Sequence, residues 1–355
     1  VTTTIRPSQL RALLAKTIPA HEPVLISGAP GVGKSDIVTQ ACAEANADCL
    51  IMHPVVSDPT DFKGLPWVTD GGATFLPFEE LQQLISANKL TACFLDDLGQ
   101  ATPAVQAAAM QLILARRVNG HSVSPHVVFL AATNRRSDRA GVSGILEPVK
   151  SRFATLVELQ ANLNDWCAWA VSANIAPEVI AFLRFRPELL SDFKPSADMT
   201  NSPSPRTWSA VSRLLALQLP PDLQVPTIEG AVGPGAAVEF VAFLRIWAQM
   251  VSPDVILTAP DTAPIPTEPS ALYAVSTAIG LRVTAPAMTR YCRYLDRLIG
   301  ANRAEFAACS MKTAVARDSK LANTPGYIQA MSGPLGQLMI GSLAAGVYTF
   351  ATGGN

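Results

Sequence analysis

Charge is scarce and evenly split in this chain. Only 15% of its 355 residues are Asp, Glu, Lys or Arg, and the formal net charge is −1. That balance gives no electrostatic reason to expect nucleic acid as the main partner; only patches such as "RRVNGH" (116–121) or "NRRSDR" (134–139) could meet phosphates. Paired cysteine spacing is absent too. Cysteines 42, 49, 93, 167, 292 and 309 are scattered, several in apolar segments, and read as buried reduced thiols of a cytoplasmic protein. His121 and His126 form the closest histidine pair, without the further ligands a metal site needs. The opening "TIRPSQLRALLAKTI" (4–18) lacks a signal-peptide core and reads as an amphipathic helix beside the first core strand. Near the other end, "LGQLMIGSLAAGVYTFATGG" (335–354) approaches the length of a membrane span. Gly, Ser, Gln and Thr interrupt it and no basic flank follows, so buried packing is expected and a membrane contact is not. No internal repeat is visible.

What is present is a long, half-apolar chain, with 49% hydrophobic residues, enough for two or three domains. The first half alternates strands and helices. "EPVLISG" (22–28), "DCLIMHP" (48–54), "ACFLDDL" (92–98), "HVVFLAATN" (126–134) and "ATLVEL" (154–159) read as buried strands. Near-continuous apolar runs separated by helices predict an α/β fold with a parallel five-stranded sheet covered on both faces. Beyond residue 160 the spacing is helical, with Pro-rich breaks at 195–205 and 219–226. The expected layout is an α/β domain over 1–159, a helical lid over 160–220 and a helical C-terminal extension over 221–355.

The strongest chemical signal is "GAPGVGKS", comprising Gly28, Ala29, Pro30, Gly31, Val32, Gly33, Lys34 and Ser35. It matches G-x-x-x-x-G-K-[ST] at every fixed position, after a strand and before a helix. Such glycines let backbone N–H groups wrap a phosphate at a helix N-terminus. Lys34 should reach the β- and γ-phosphates of ATP, and Ser35 should ligate Mg²⁺. The stretch "ACFLDDLGQA" (92–101) then supplies a buried strand ending in two acids. Asp96 is the expected partner of Ser35 at the metal. Asp97 either activates the attacking water or caps the helix that follows.

"GAPGVGKS", "FLDDLGQA", "AATN" and "SRF", in this order and spacing, resemble the AAA+ ATPases, and specifically their MoxR-like branch. The resemblance covers about residues 5–218. "DFKGLPWVTDGGATFLPFEEL" (61–81) looks like the hairpin insert of that branch, and "PAVQAAAMQLILARRVNG" (103–120) is typical of it. "SPSPRTWSAVSRLL" (202–215) resembles its lid motif. The resemblance implies that Asn134 is sensor 1, orienting water with Asp97, and that Arg206 is sensor 2, reaching the γ-phosphate. It implies that Arg152 in "VKSRF" is an arginine finger offered to a neighbouring subunit, a role for which Arg135, Arg136 and Arg139 compete. From the residues alone, the alternative is that Asn134 caps a strand end. Two departures stand out: Asp97 replaces the usual Glu, and "LGQA" stands where Asn and Arg are common.

The function so implied is Mg²⁺-dependent ATP hydrolysis by a ring, hexameric by resemblance, that remodels a protein client. Proteins with von Willebrand factor A domains are frequent partners of that branch. A nucleotide-gated scaffold with little hydrolysis and a nucleic-acid-directed ATPase are the alternatives. Leu65, Trp67 and Phe75 on the insert either contact the client or pack on the sheet edge.

Overall fold

The computed structural model describes residues 3–69, 71–138, 144–196 and 198–344. The chain divides into two compact units, residues 1–165 with 191–206, and residues 166–190 with 207–355. Helices expected for the lid and for the extension share the second unit, while 191–206 belongs to the first.

The first unit is built on β1 (Thr3–Ile5), β2 (Val24–Gly28) and β3 (Asp48–Met52), the insert strands β4 (Leu65–Thr69) and β5 (Gly72–Leu76), β6 (Thr91–Leu95), the short β7 (Arg117–Val118) and β8 (His121–Ser122), then β9 (Val127–Thr133) and β10 (Thr155–Leu159). Six of them form one sheet in the order β1-β10-β2-β9-β6-β3, with every neighbouring pair parallel. The five expected strands are all in it. The sixth, β1, lies at the edge beside β10. Its three residues precede Pro7, and their pattern merged with the helix α1 (Pro7–Thr17) that Pro7 opens.

Period-two alternation sends successive side chains to opposite faces, and each face has its own helices. On one face α1 and α2 (Lys34–Glu44) lay Leu10, Leu14 and Val38 against Ile26, Leu130 and Val157. On the other, α3 (Glu79–Ser86), α4 (Pro103–Ala115) and α5 (Glu147–Lys150) bring Leu84, Leu112 and Val149 against Leu25, Leu95 and Phe129. Both strands β6 and β9 are buried at every position, which is why each is apolar but for one threonine.

Strands β4 and β5 form a separate antiparallel hairpin. β7 and β8 form a second, joined by Asn119 (φ 40°) and Gly120 (φ 101°), the Asn-Gly turn that favours left-handed backbone at both positions. The two hairpins are tied together. Asn119 Nδ2 donates to Lys63 O at 2.7 Å, and His121 Nε2 lies 3.2 Å from Phe75 O.

Among its described residues, the regular elements of the second unit are all helices. Around Phe182 gather Trp208, Phe240 and Phe243, with ring centroids 5.1–5.6 Å from it. A larger core gathers Val275, Ile279, Tyr291, Leu295 and Met311. All six cysteines are free thiols. Among the described residues no helix is long and apolar enough to cross a membrane; residues 345–355, the end of the apolar tail, lie outside them.

Candidate nucleotide site

The site begins where β2 runs out. Gly31 has φ +73°, a left-handed backbone that penalises any side chain, and a Cβ there would sit 2.7 Å from Ser204 Oγ. The loop ends at Gly33, and α2 starts at Lys34 with no side-chain cap, so the N-terminal turn of a helix, where backbone N–H groups lack intrahelical partners, adjoins the loop.

Lys34 is buried, with only 7% of its surface exposed. Its ammonium has three protons and three acceptors: Asn134 Oδ1 at 2.7 Å, Gly28 O at 3.0 Å and Ala29 O at 3.2 Å. All three acceptors are uncharged. Burial therefore pushes the Lys34 pKa from 10.5 down to about 8, against an opposing pull from Asp97 and Asp96 and with a small further push from Arg206.

Strand β6 delivers the two acids. Ser35 Oγ donates to Asp96 Oδ2 at 2.6 Å, and Asp96 Oδ1 accepts the backbone N–H of Asp97 at 3.1 Å. A hydroxyl and a carboxylate in contact are the hard oxygen donors that suit Mg²⁺, whose remaining positions water and phosphate can fill. Asp97 has a left-handed backbone, φ 58° and ψ 32°, unusual for a residue with a side chain. Its carboxylate makes no capping bond to the turn that follows; Thr102 caps α4 instead. Asp97 Oδ1 accepts from Asn134 Nδ2 at 3.4 Å, so the one amide links the lysine and the second acid.

The acid turn is held close to strand β9. A Cβ on Gly99 would meet Thr133 Oγ1 at 2.1 Å, so glycine is required there for close approach. Arg206 anchors 191–206 to the loop through its backbone N–H, which donates to Gly31 O at 3.1 Å, while its side chain is exposed.

The structure thus brings Lys34, Ser35, Asp96, Asp97 and Asn134 into one hydrogen-bonded group and sets Arg206 at the loop's rim. Arg152 is placed differently. It follows α5, its Nη1 donates to Ser151 Oγ at 2.7 Å, and its buried Nε has no partner. Of its rivals, Arg135 is committed to Asp138 at 2.9 Å and Glu158 at 3.4 Å, bonds that raise its pKa, Asp138 foremost. Arg136 lines a cleft of about 650 Å³ with Lys150 and Glu158. Arg139 lies outside the described residues. On the insert, Leu65, Trp67 and Phe75 are 48%, 56% and 37% exposed.

One participant escaped the sequence. Gln106 on α4 is fully buried and bonds both the segment after the acids and the segment before α5.

Residues 23–153 match the model of the AAA domain, dynein-related subfamily. This part of the chain is similar to AAA domains. No curated protein matches the chain in sequence. Among solved structures, the RuvB Holliday junction branch migration motor of Thermotoga maritima is similar at 13% identity and a TM-score of 0.35, covering 91% of this chain and 86% of that one. NtrX from Brucella abortus in complex with ADP is similar at 13% identity and a TM-score of 0.40, covering 96% of this chain and 68% of that one. The loop, both acids, Asn134 and Arg152 all fall inside the matched span; Arg206 falls beyond it.

Proposed function

We propose that this protein hydrolyses ATP with Mg²⁺ and uses the cycle to remodel a protein partner. The observation that carries the reading is the chain of contacts from Lys34 through Asn134 to Asp97, alongside the Ser35–Asp96 pair.

Each residue then has a task its chemistry suits. The loop N–H groups and Lys34 hold the phosphates. Ser35 and Asp96 would hold Mg²⁺, which would supply charge neutralisation for phosphoryl transfer. Phosphate oxygens are better acceptors for the Lys34 ammonium than an amide, so nucleotide competes with Asn134 for it. Asn134, released from the lysine, can orient water beside Asp97, which accepts the water's proton. Arg206 faces the γ-phosphate as sensor 2. Arg152, with no acidic partner in its own subunit among the described residues, is the finger offered to a neighbour, so ring assembly and turnover are coupled.

By the MoxR-like reading the ring is hexameric and cytoplasmic, residues 160–220 act as its lid and 221–355 as an extension. The exposed apolar hairpin is the client surface, and a von Willebrand factor A domain protein is the expected kind of client. A slow nucleotide-gated scaffold is the second reading. It is favoured by Asp97 itself, one methylene shorter than Glu and held in left-handed backbone. Steady-state turnover with Mg²⁺ and with EDTA separates the two. Stimulation of turnover by DNA or RNA at low salt would instead support the nucleic-acid-directed alternative, against which the net charge of −1 argues.

A further inference from the structure

Gln106 is a polar side chain that ties the acid turn to the segment carrying Arg152. It lies on the second turn of α4 and is wholly buried. Its Nε2 uses both protons, donating to Ala101 O at 3.1 Å and to Gly144 O at 2.9 Å. Its Oε1 accepts the backbone N–H of Leu146 at 3.0 Å. Ala101 closes the turn that starts at Asp97, since its N–H bonds Leu98 O at 3.2 Å. Leu146 is the N-cap of α5: its carbonyl accepts from Val149 N at 2.9 Å and Lys150 N at 3.1 Å. Arg152 N in turn donates to Val149 O at 3.1 Å.

We infer that Gln106 is a positioning residue that sets Arg152 in register with the acid turn, so that nucleotide state in one subunit is passed to the finger it offers its neighbour. The inference rests on the ATPase reading above. Its physical basis is the cost of the alternatives. α5 is a single turn of four residues, too short to hold its own orientation, and Val149 is its one fully buried apolar anchor. Losing the Gln106 amide would remove its bonds to Ala101 O, to the half-buried Gly144 O and to Leu146 N–H, so 144–146 would lose its side-chain tie to the acid turn. A shift of the acid turn therefore moves 144–146, and α5 follows. Gln106 touches none of Gly28–Ser35 in these contacts, which separates its effect from nucleotide binding.

Gln106→Met fills the space without hydrogen-bonding, and the full-length variant tests the proposal. Its affinity for Mg-ATP should stay within about twofold of the unsubstituted protein, while kcat falls about tenfold or more. Adding Arg152→Ala should then cost much less than it does alone, because the arginine is already misplaced. A folded Gln106→Met with unsubstituted kcat, or with a fully multiplicative loss on adding Arg152→Ala, overturns the proposal. Should the variant not fold, hydrogen exchange on the unsubstituted chain decides. The amide of Leu146 should exchange more slowly when a non-hydrolysable ATP analogue binds with Mg²⁺, and exchange indifferent to nucleotide overturns the junction. An unsubstituted protein that binds ATP without turnover would overturn the hydrolysis reading alone, leaving the exchange measurement to decide on Gln106.

Discussion

Raising the pH should weaken ATP binding, because buried Lys34 holds its proton poorly when no nucleotide is bound. The ammonium faces two carbonyls and an amide oxygen, and burial lowers its pKa from 10.5 to about 8. Phosphate oxygens would restore the charge, so binding takes up a proton wherever the free lysine has lost it. If the bound lysine returns to its ordinary 10.5, then at pH 9.5 about 3% of free sites are protonated against about 90% of bound ones, and affinity falls about 30-fold relative to pH 7. Calorimetric titration with a non-hydrolysable ATP analogue and fixed Mg²⁺, from pH 7 to 9.5, reads this directly. Repeating it at pH 9 in buffers of different ionisation enthalpy counts the protons. Asp97→Asn should move the onset to lower pH, because Asp97 is the largest influence raising the Lys34 pKa. Thermal stability is a poorer readout. Between pH 8 and 10.5 the depressed lysine makes the folded protein gain stability as pH rises, but buried Tyr291 and Cys93, whose pKa values are raised, act in the opposite direction. Affinity that does not change from pH 7 to 9.5, with no proton uptake, would refute the reasoning and leave Lys34 unperturbed.

Three further outcomes are expected. Gly99→Ala must displace Thr133 or the acid turn, at a cost of about 1–3 kcal/mol in a urea titration, and should lower turnover. Adding Thr133→Ala removes the nearest clashing atom and should recover part of both, and no recovery would point to a different clash. Trp67→Ala should change stability by about 0.5 kcal/mol or less, since the side chain is half exposed, and should reduce client-stimulated turnover while basal turnover persists. Loss of basal turnover together with stability would make Trp67 part of the core. Arg152→Ala should bind ATP normally and lose about 10³-fold in turnover; mixing it with Asp97→Asn subunits should partly restore activity if the finger acts in trans. Absence of rescue in rings that exchange subunits would reject a trans finger.

What could be read in advance follows from how local each feature is. The phosphate loop and the acids are contiguous runs whose chemistry dictates residue type at fixed spacing, so Gly28–Ser35 and Asp96–Asp97 were legible without a fold. The insert hairpin was legible because Gly71–Gly72 separates two apolar arms. β1 was not, because three residues carry too little periodicity beside an adjoining helix. The β7–β8 hairpin was missed although Asn119–Gly120 announced it, because two-residue strands leave no alternation to count. Gln106 had no local signature at all: its three bonds reach five residues back and about forty ahead, and only the folded chain brings them together. The buried Arg184, held by the Thr277 and Thr313 hydroxyls at 3.0 and 2.7 Å, was hidden for the same reason.

In the proposed cycle Lys34 holds the nucleotide and Asp97 takes the proton of the attacking water. Single-turnover hydrolysis of ATP with Mg²⁺, measured beside equilibrium binding for the unsubstituted protein, Asp97→Asn and Lys34→Ala, tests it most directly. Lys34→Ala should fail to bind. Asp97→Asn should bind as tightly as the unsubstituted protein at pH 7, yet hydrolyse ATP at least about 100-fold more slowly, because an amide cannot take the water's proton. Equal hydrolysis by the unsubstituted protein and Asp97→Asn would contradict the account.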